Sequence, residues 1–190
     1  KTEGGLSSGN AGESSNFLCY RALRLNYYAV TGLLARVCLY AGQRENAFNY
    51  STEVIKASNN GIFPFVDRSL VNGTAQDPDR IFSPEVLFAL SDSQRGELFE
   101  EYFDPSLAPN MVFRMETDLL EQTIYGGTGT GGNLDDYRCR SNWISSGSAR
   151  YFYKYSDMTE SGRIENTMIP LLRLGEMYLI AAESQSNSLA

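Results

Sequence analysis

From Arg24 onward the apolar positions fall into a helical step. Tyr27, Val30, Leu34, Val37 and Ala41 recur at three- and four-residue intervals, the spacing that gathers side chains on one face of a helix. Leu33 and Tyr40 widen that face. Gly42 stands where a left-handed residue ends a helix, and Ala47, Tyr50, Val54 and Ile55 form a second stripe running to about Ala57. Asn59-Asn60-Gly61 closes it. The pattern predicts a helical hairpin over 24–57 with a short connection, one repeat length of a helical solenoid.

Beyond Gly61 the helical period fades into an irregular excursion over 58–168. Val86-Leu87-Phe88-Ala89-Leu90, preceded by Ser83-Pro84, suits a strand buried on both faces or a helical turn, and strand is preferred. Residues 103–109 carry Pro105 and Pro109 and predict turns, and Met111-Val112-Phe113 is too brief to assign. Gly, Thr and Ser crowd 126–133 and 141–148, which predicts loop. In Tyr151-Phe152-Tyr153-Lys154-Tyr155 the alternation predicts a strand with three tyrosines on one face. Ile169-Pro170 then introduces Leu171, Leu174, Tyr178 and Ala181 at helical steps, predicting a helix over 169–186 that is half of an incomplete hairpin. Residues 1–23 predict a loop, because the opening stretch of Gly, Ser, Asn and Glu cannot offset its ordering entropy.

Composition narrows the function classes. The 190 residues, 42% hydrophobic and 21% charged, suit one soluble domain or a portion of one. Lys plus Arg is 16 against 23 for Asp plus Glu, a net charge of −7 with no basic stripe, which argues against nucleic acid. Histidine is absent. That removes Ser-His-Asp and Cys-His nucleophile systems and the commonest nitrogen ligand of zinc. Cys19, Cys38 and Cys139 are odd in number and far apart, so neither a disulfide framework nor a metal site is expected, and no cofactor is implied. The most apolar stretch, 27–41, contains Arg36 and is shorter than the roughly 20 residues of a membrane-spanning helix. The sequence opens Lys1-Thr2-Glu3 without a signal segment, which reads as a start partway through a longer protein.

Two acidic and glycine patterns invite chemistry and lose it on inspection. Gly127, Gly129 and Gly132 satisfy the letter of a dinucleotide fingerprint, but Asp135 and Asp136 follow where phosphate would sit, and no amphipathic helix does. The same aspartates resemble a glycosidase pair only in number, since adjacent residues point apart and that reaction needs carboxyl groups about 5 to 9.5 Å apart across a sugar. A solvated turn accounts for them, although a carboxylate accepting hydrogen bonds from sugar hydroxyls stays open. Aromatic residues carry the stronger signal. Tyr125, Tyr137, Trp143, Tyr151, Phe152, Tyr153 and Tyr155 are seven rings in 31 positions, against 12% in the whole chain. Asp135, Asp136, Arg138, Arg140 and Asn142 are interleaved with them. Rings beside fixed hydrogen-bonding groups match a sugar, which offers a C–H face to stack and hydroxyls to satisfy. Core packing is the alternative for each tyrosine. The candidate ligand-binding residues are therefore Trp143, Tyr137, Tyr125, Asn142, Arg138, Arg140 and Asp135.

Four stretches, in order, resemble a known family. Leu25-Asn26-Tyr27-Tyr28-Ala29-Val30 with Leu34-Ala35-Arg36-Val37-Cys38-Leu39-Tyr40-Ala41-Gly42 and Ala47 is similar to the helical hairpin of SusD/RagB proteins, outer-membrane nutrient-binding lipoproteins of Bacteroidetes. Ile169-Pro170-Leu171-Leu172-Arg173-Leu174-Gly175-Glu176-Met177-Tyr178-Leu179-Ile180-Ala181-Ala182-Glu183 resembles that family's late helix, and Pro84 to Leu90 and Lys154-Tyr155 fall between. The resemblance implies a mainly α fold: tetratricopeptide-like hairpins in an α-α superhelix, with a long irregular excursion containing short strands and the ligand site. It implies a surface protein without catalysis, anchored by an N-terminal lipid and carrying glycan to a SusC-like TonB-dependent transporter. A signal, a lipidated cysteine, the early helices and a helix after Ala190 are missing from the pattern, so the chain resembles an internal portion of such a protein. The competing expectations are a protein-interaction scaffold without a sugar site and, third, an enzyme using Asp135 or Asp136 as acid.

Overall fold

The computed structural model describes residues 24–71, 77–126, 136–159 and 162–185. The loop expected over 1–23, Cys19, the glycines 127, 129 and 132, and Asp135 lie outside the described residues. Helices and short strands alternate along the chain, which divides into two compact units. One is assembled from residues up to Phe65, Pro84–Leu90 and residues from Ile169 on, and the other from Val66–Ser83 and Ser91–Met168.

In the first unit α1 (Tyr27–Tyr40) and α2 (Arg44–Asn59) form the expected hairpin. The Asn26 carboxamide oxygen accepts from the backbone N–H of Ala29, capping α1, and Gly42, at φ +73°, turns the chain out of it. The face that packs is not the expected one. Tyr27, Val30, Leu34, Val37 and Tyr40 are exposed, Tyr40 by 86%, while Ala29, Thr31, Gly32, Ala35 and Cys38 are buried. Small side chains win the interior because they let neighbouring elements approach. A Cβ on Gly32 would stand 2.8 Å from Leu172 Cδ2 and 3.2 Å from Met177 Sδ. The second stripe does face inward, with Ala47 and Val54 fully buried and Tyr50 and Ile55 packed beside them.

The strand expected at 86–90 forms as β1 (Val86–Ser91) and pairs with β5 (Met168–Arg173) in a two-stranded sheet. Here the predicted last helix is corrected: residues 168–173 are extended, and α6 covers only Leu174–Gln185. The buried positions are accordingly Leu172, Leu174, Met177 and Ile180, whereas Leu171 and Tyr178 are exposed. Leu87 of β1, Leu172 of β5 and Leu174, Met177 and Ile180 of α6 close one core with Ala35, Ala47, Val54 and Phe63. Arg173 and Glu176, which share a helical spacing, do not pair with each other. Arg173 pairs with the buried Glu85 at 3.3 Å, and Glu176 takes both Nε and Nη2 of Arg36 at 2.6 and 2.7 Å. Among the described residues there is one helical hairpin, with α6 packed along α2, and no helix is long and apolar enough to cross a membrane.

The second unit contains α3 (Arg68–Val71), α4 (Arg95–Tyr102), β2 (Arg114–Glu116), a π-helical turn (Leu119–Ile124), α5 (Tyr137–Ser141), β3 (Trp143–Ser146) and β4 (Ala149–Phe152). The three strands make an antiparallel sheet in the order β2-β4-β3, with Trp143 opposite Phe152 and Arg114 opposite Tyr151. Residues 141–148, expected as loop, thus hold the end of α5 and a hairpin strand, and Gly147, at φ +62°, supplies the left-handed turn between β3 and β4. Of the three tyrosines expected on one strand face, Tyr151 alone lies within β4, and Tyr153 and Tyr155 follow it. Arg95, 3% exposed, ties the other end of the unit together by donating to the carbonyls of Glu165 and Met168 and to the Asp157 carboxylate.

Candidate aromatic site

Trp143 opens β3, and strand pairing sets it against Phe152 with ring centroids 5.3 Å apart. Phe113, just before β2, completes a triangle, 5.7 Å from each of the other two. Phe152 leads on to Phe103 and Tyr155, and Phe103 to Phe99, which meets Tyr153 edge-on at 5.0 Å. Apart from the stacked Phe99–Phe103 pair, these are tilted and edge-to-face arrangements, which place the positive rim of one ring on the negative face of the next. Trp143 is 6% exposed and Phe113 51%, so Trp143 is an enclosed floor and Phe113 the open ring beside it.

The indole N–H of Trp143 points to the Tyr125 hydroxyl, 3.4 Å away. The Arg138 guanidinium lies over the Tyr125 ring, 5.7 Å from its centroid, within cation–π reach. Asp136 fixes that guanidinium: its Oδ1 accepts from Arg138 Nε at 3.0 Å and its Oδ2 from Nη2 at 2.6 Å. The same carboxylate caps α5, because Oδ1 also accepts from the Arg138 backbone N–H at 2.9 Å. The hydrogen bond from the Arg138 guanidinium holds the Asp136 carboxyl below the usual carboxylate range against the upward push of burial, and the pairing raises Arg138 in turn. The Arg138 side chain remains 62% exposed. A buried indole, a phenol and a cation of fixed direction therefore stand in one chain of contacts.

The structure brings together three of the residues picked from sequence, Trp143, Tyr125 and Arg138, and sends others elsewhere. Tyr137 packs against Val66, Val71 and Phe82. Asn142, 7% exposed, ends α5, and its side-chain oxygen accepts from Ser141 while its carbonyl accepts from the Tyr153 N–H. Arg140 is exposed on α5. Asp135 lies outside the described residues. Phe113, Phe103 and Phe99 are the rings that sequence reasoning missed, since they sit outside the 125–155 window: Phe113 joins it through sheet order, and Phe99 and Phe103 by packing from α4 and its C-terminal end. Cys38 and Cys139 are buried free thiols, and burial pushes Cys139 up. Among the described residues no group of three or more His, Cys, Asp or Glu is placed to hold a metal.

No protein-family model and no curated protein matches the chain. Among solved structures it is similar to the crystal structure of a SusD superfamily protein from Bacteroides thetaiotaomicron VPI-5482, at 24% identity and a TM-score of 0.49. The match covers 84% of this chain and 37% of that one, so the chain spans little more than a third of that protein's length.

Proposed function

We propose that the chain is part of a non-catalytic glycan-binding protein of the bacterial outer-membrane surface, lipid-anchored and passing oligosaccharide to a SusC-like TonB-dependent transporter. The order of SusD/RagB-like stretches in the sequence supports the family-level part of this reading. The binding site is assigned to the edge of the aromatic cluster, and the single observation behind it is the chain of contacts from Trp143 through Tyr125 and Arg138 to Asp136. Tyr125 and the open ring of Phe113 offer surfaces for a sugar's C–H face, and Arg138 offers N–H groups for hydroxyls. Asp136 is committed to Arg138 and to the α5 cap and stays ionised at neutral pH, which disqualifies it as a general acid.

Isothermal titration against a panel of neutral oligosaccharides tests the site. A bound sugar is expected to lose about tenfold in affinity or more in Arg138→Gln, from the loss of charge-assisted hydrogen bonds, and comparably in Tyr125→Ala. Because the Tyr125 hydroxyl receives the indole N–H, the same sugar is expected to shift the emission of the single tryptophan. Unchanged affinity in both variants overturns the site. The scaffold reading keeps one observation of its own, the outward row of Tyr27, Val30, Leu34, Val37 and Tyr40 on α1, and it expects no tryptophan response to any sugar.

A further inference from the structure

A second feature of the same unit lies on the loop that follows α3. Asp79, 4% exposed, accepts from the backbone N–H groups of Ile81 and Ser83 at 3.0 and 2.7 Å and from the Ser83 hydroxyl at 2.8 Å, while its own N–H donates to the carbonyl of Leu70. Ile81 and Phe82 are buried beside it, and Phe82 has φ +58°. A bulky aromatic in the left-handed region is strained, and such strain persists only where the surroundings enforce it. Here the Asp79 hydrogen bonds and the packing of Phe82 with Val66 and Val71 enforce it. The loop therefore holds the Cα of Arg80 rigidly between two buried neighbours.

The Arg80 side chain is partly exposed, and its guanidinium lies over the Tyr153 ring, 5.0 Å from the centroid. Tyr153 is itself fixed by Phe99 and by its N–H bond to Asn142. Among the described residues, three arginines have a buried Nε that makes no hydrogen bond: Arg80, Arg95 and Arg173. Arg95 and Arg173 are anchored through their terminal nitrogens to carbonyls and carboxylates. Arg80 makes no hydrogen bond among the described residues, and its terminal nitrogens are not closed off as its Nε is. Burial lowers its pKa, which Tyr153 and Asp77 only partly oppose. A cation so placed is incompletely compensated, pre-oriented and open at one edge.

We propose that Arg80 is the receptor for the carboxylate of an acidic saccharide, a uronic acid residue taken end-on by its two terminal nitrogens. The saccharide part rests on the glycan reading above. The planar guanidinium edge matches the two oxygens of a carboxylate. One cation with Asp77 acting on it, in a chain of net charge −7, suits a singly charged group better than a doubly charged phosphate monoester or inorganic sulfate.

Nitrogen-15 NMR of the chain, titrated separately with glucuronate, glucose, inorganic sulfate and the neutral oligosaccharide panel, tests this. Glucuronate is expected to move the Arg80 side-chain and Tyr153 signals, with glucose and sulfate leaving them in place, and Arg80→Gln is expected to weaken glucuronate about tenfold while neutral sugars still shift Trp143. A silent Arg80 under glucuronate, or an equal response to sulfate, overturns the inference while a Trp143 response to neutral sugars leaves the glycan reading standing. A Trp143 signal that ignores every sugar sinks the glycan reading, and with it the saccharide assignment at Arg80, even where Arg80 answers to glucuronate.

Discussion

The two units solve the problem of cohesion in different materials. In the first, the interior is mainly aliphatic, with Leu87, Leu172, Leu174 and Met177 fully buried beside Gly32, Ala35 and Ala47 and with Phe63 as the buried ring. In the second, aliphatic residues such as Leu120 and Val71 share the interior with a relay of rings that includes Trp143 and Tyr153, and Arg95 is buried there as well. An aliphatic core spends its surface on itself, whereas phenols, indoles and guanidinium groups keep hydrogen-bonding capacity at their edges. The chemistry available to a ligand therefore concentrates in the second unit.

The comparison breaks first at Trp143. If that ring is a floor as much as a neighbour of the site, Trp143→Ala is expected to cost about 3–5 kcal/mol of stability, read as a lower denaturation midpoint, and a sugar-binding defect in that variant would then report lost packing. A variant as stable as the parent would mean the relay is not a core. The next effect belongs to the aliphatic unit. Gly32→Val forces atoms into the space held by Leu172 and Met177 and is expected to cost about 1–3 kcal/mol in urea unfolding, even though valine is the better helix former. An unchanged midpoint would show that α1 and the sheet separate freely.

The smallest effect sharpens the site. Asp136 has its folded-state pKa lowered by Arg138, so its contribution is fully present above its unfolded pKa near 4 and is lost as pH falls through the lower folded value. With the Arg138 side chain 62% exposed, that contribution is expected to be under about 1 kcal/mol. Stability of the parent should fall more steeply below about pH 4 than that of Asp136→Asn. Parallel acid profiles for the two would show that the Asp136–Arg138 pair does not orient the guanidinium.

Hydrophobic spacing made the hairpin legible, and the glycines at its ends marked its limits, because helix period and left-handed termination are local properties. Which face turns inward was not local. The stripe of Tyr27, Val30, Leu34 and Val37 carries the larger side chains, yet Gly32 and Ala35 pack, since the depth available is set by Leu172 and Met177 some 140 residues later. Pro170 misled for a related reason: a proline near a helical period signals a helix start, but pairing with β1 keeps residues 168–173 extended. At the candidate site, counting rings picked out Trp143 and Tyr125. It could not separate floor from rim, and it passed over Phe113, which reaches Trp143 only because β4 stands between β2 and β3. Arg80 carried no sequence signal, because its place over Tyr153 without a hydrogen bond among the described residues is a fact of three dimensions.

The threading of the first unit has a kinetic corollary. Its core joins Ala35 and Val54 to Leu172, Leu174, Met177 and Ile180, so loop closure over well more than 100 residues precedes any reward from that packing, and such topologies fold slowly. During synthesis the hairpin α1–α2 emerges long before the segment that seals it. Until β5 and α6 arrive, α2 alone covers the small-residue face of α1, and a ribosome-bound intermediate must wait with the places of Leu172, Leu174 and Met177 in that core unfilled.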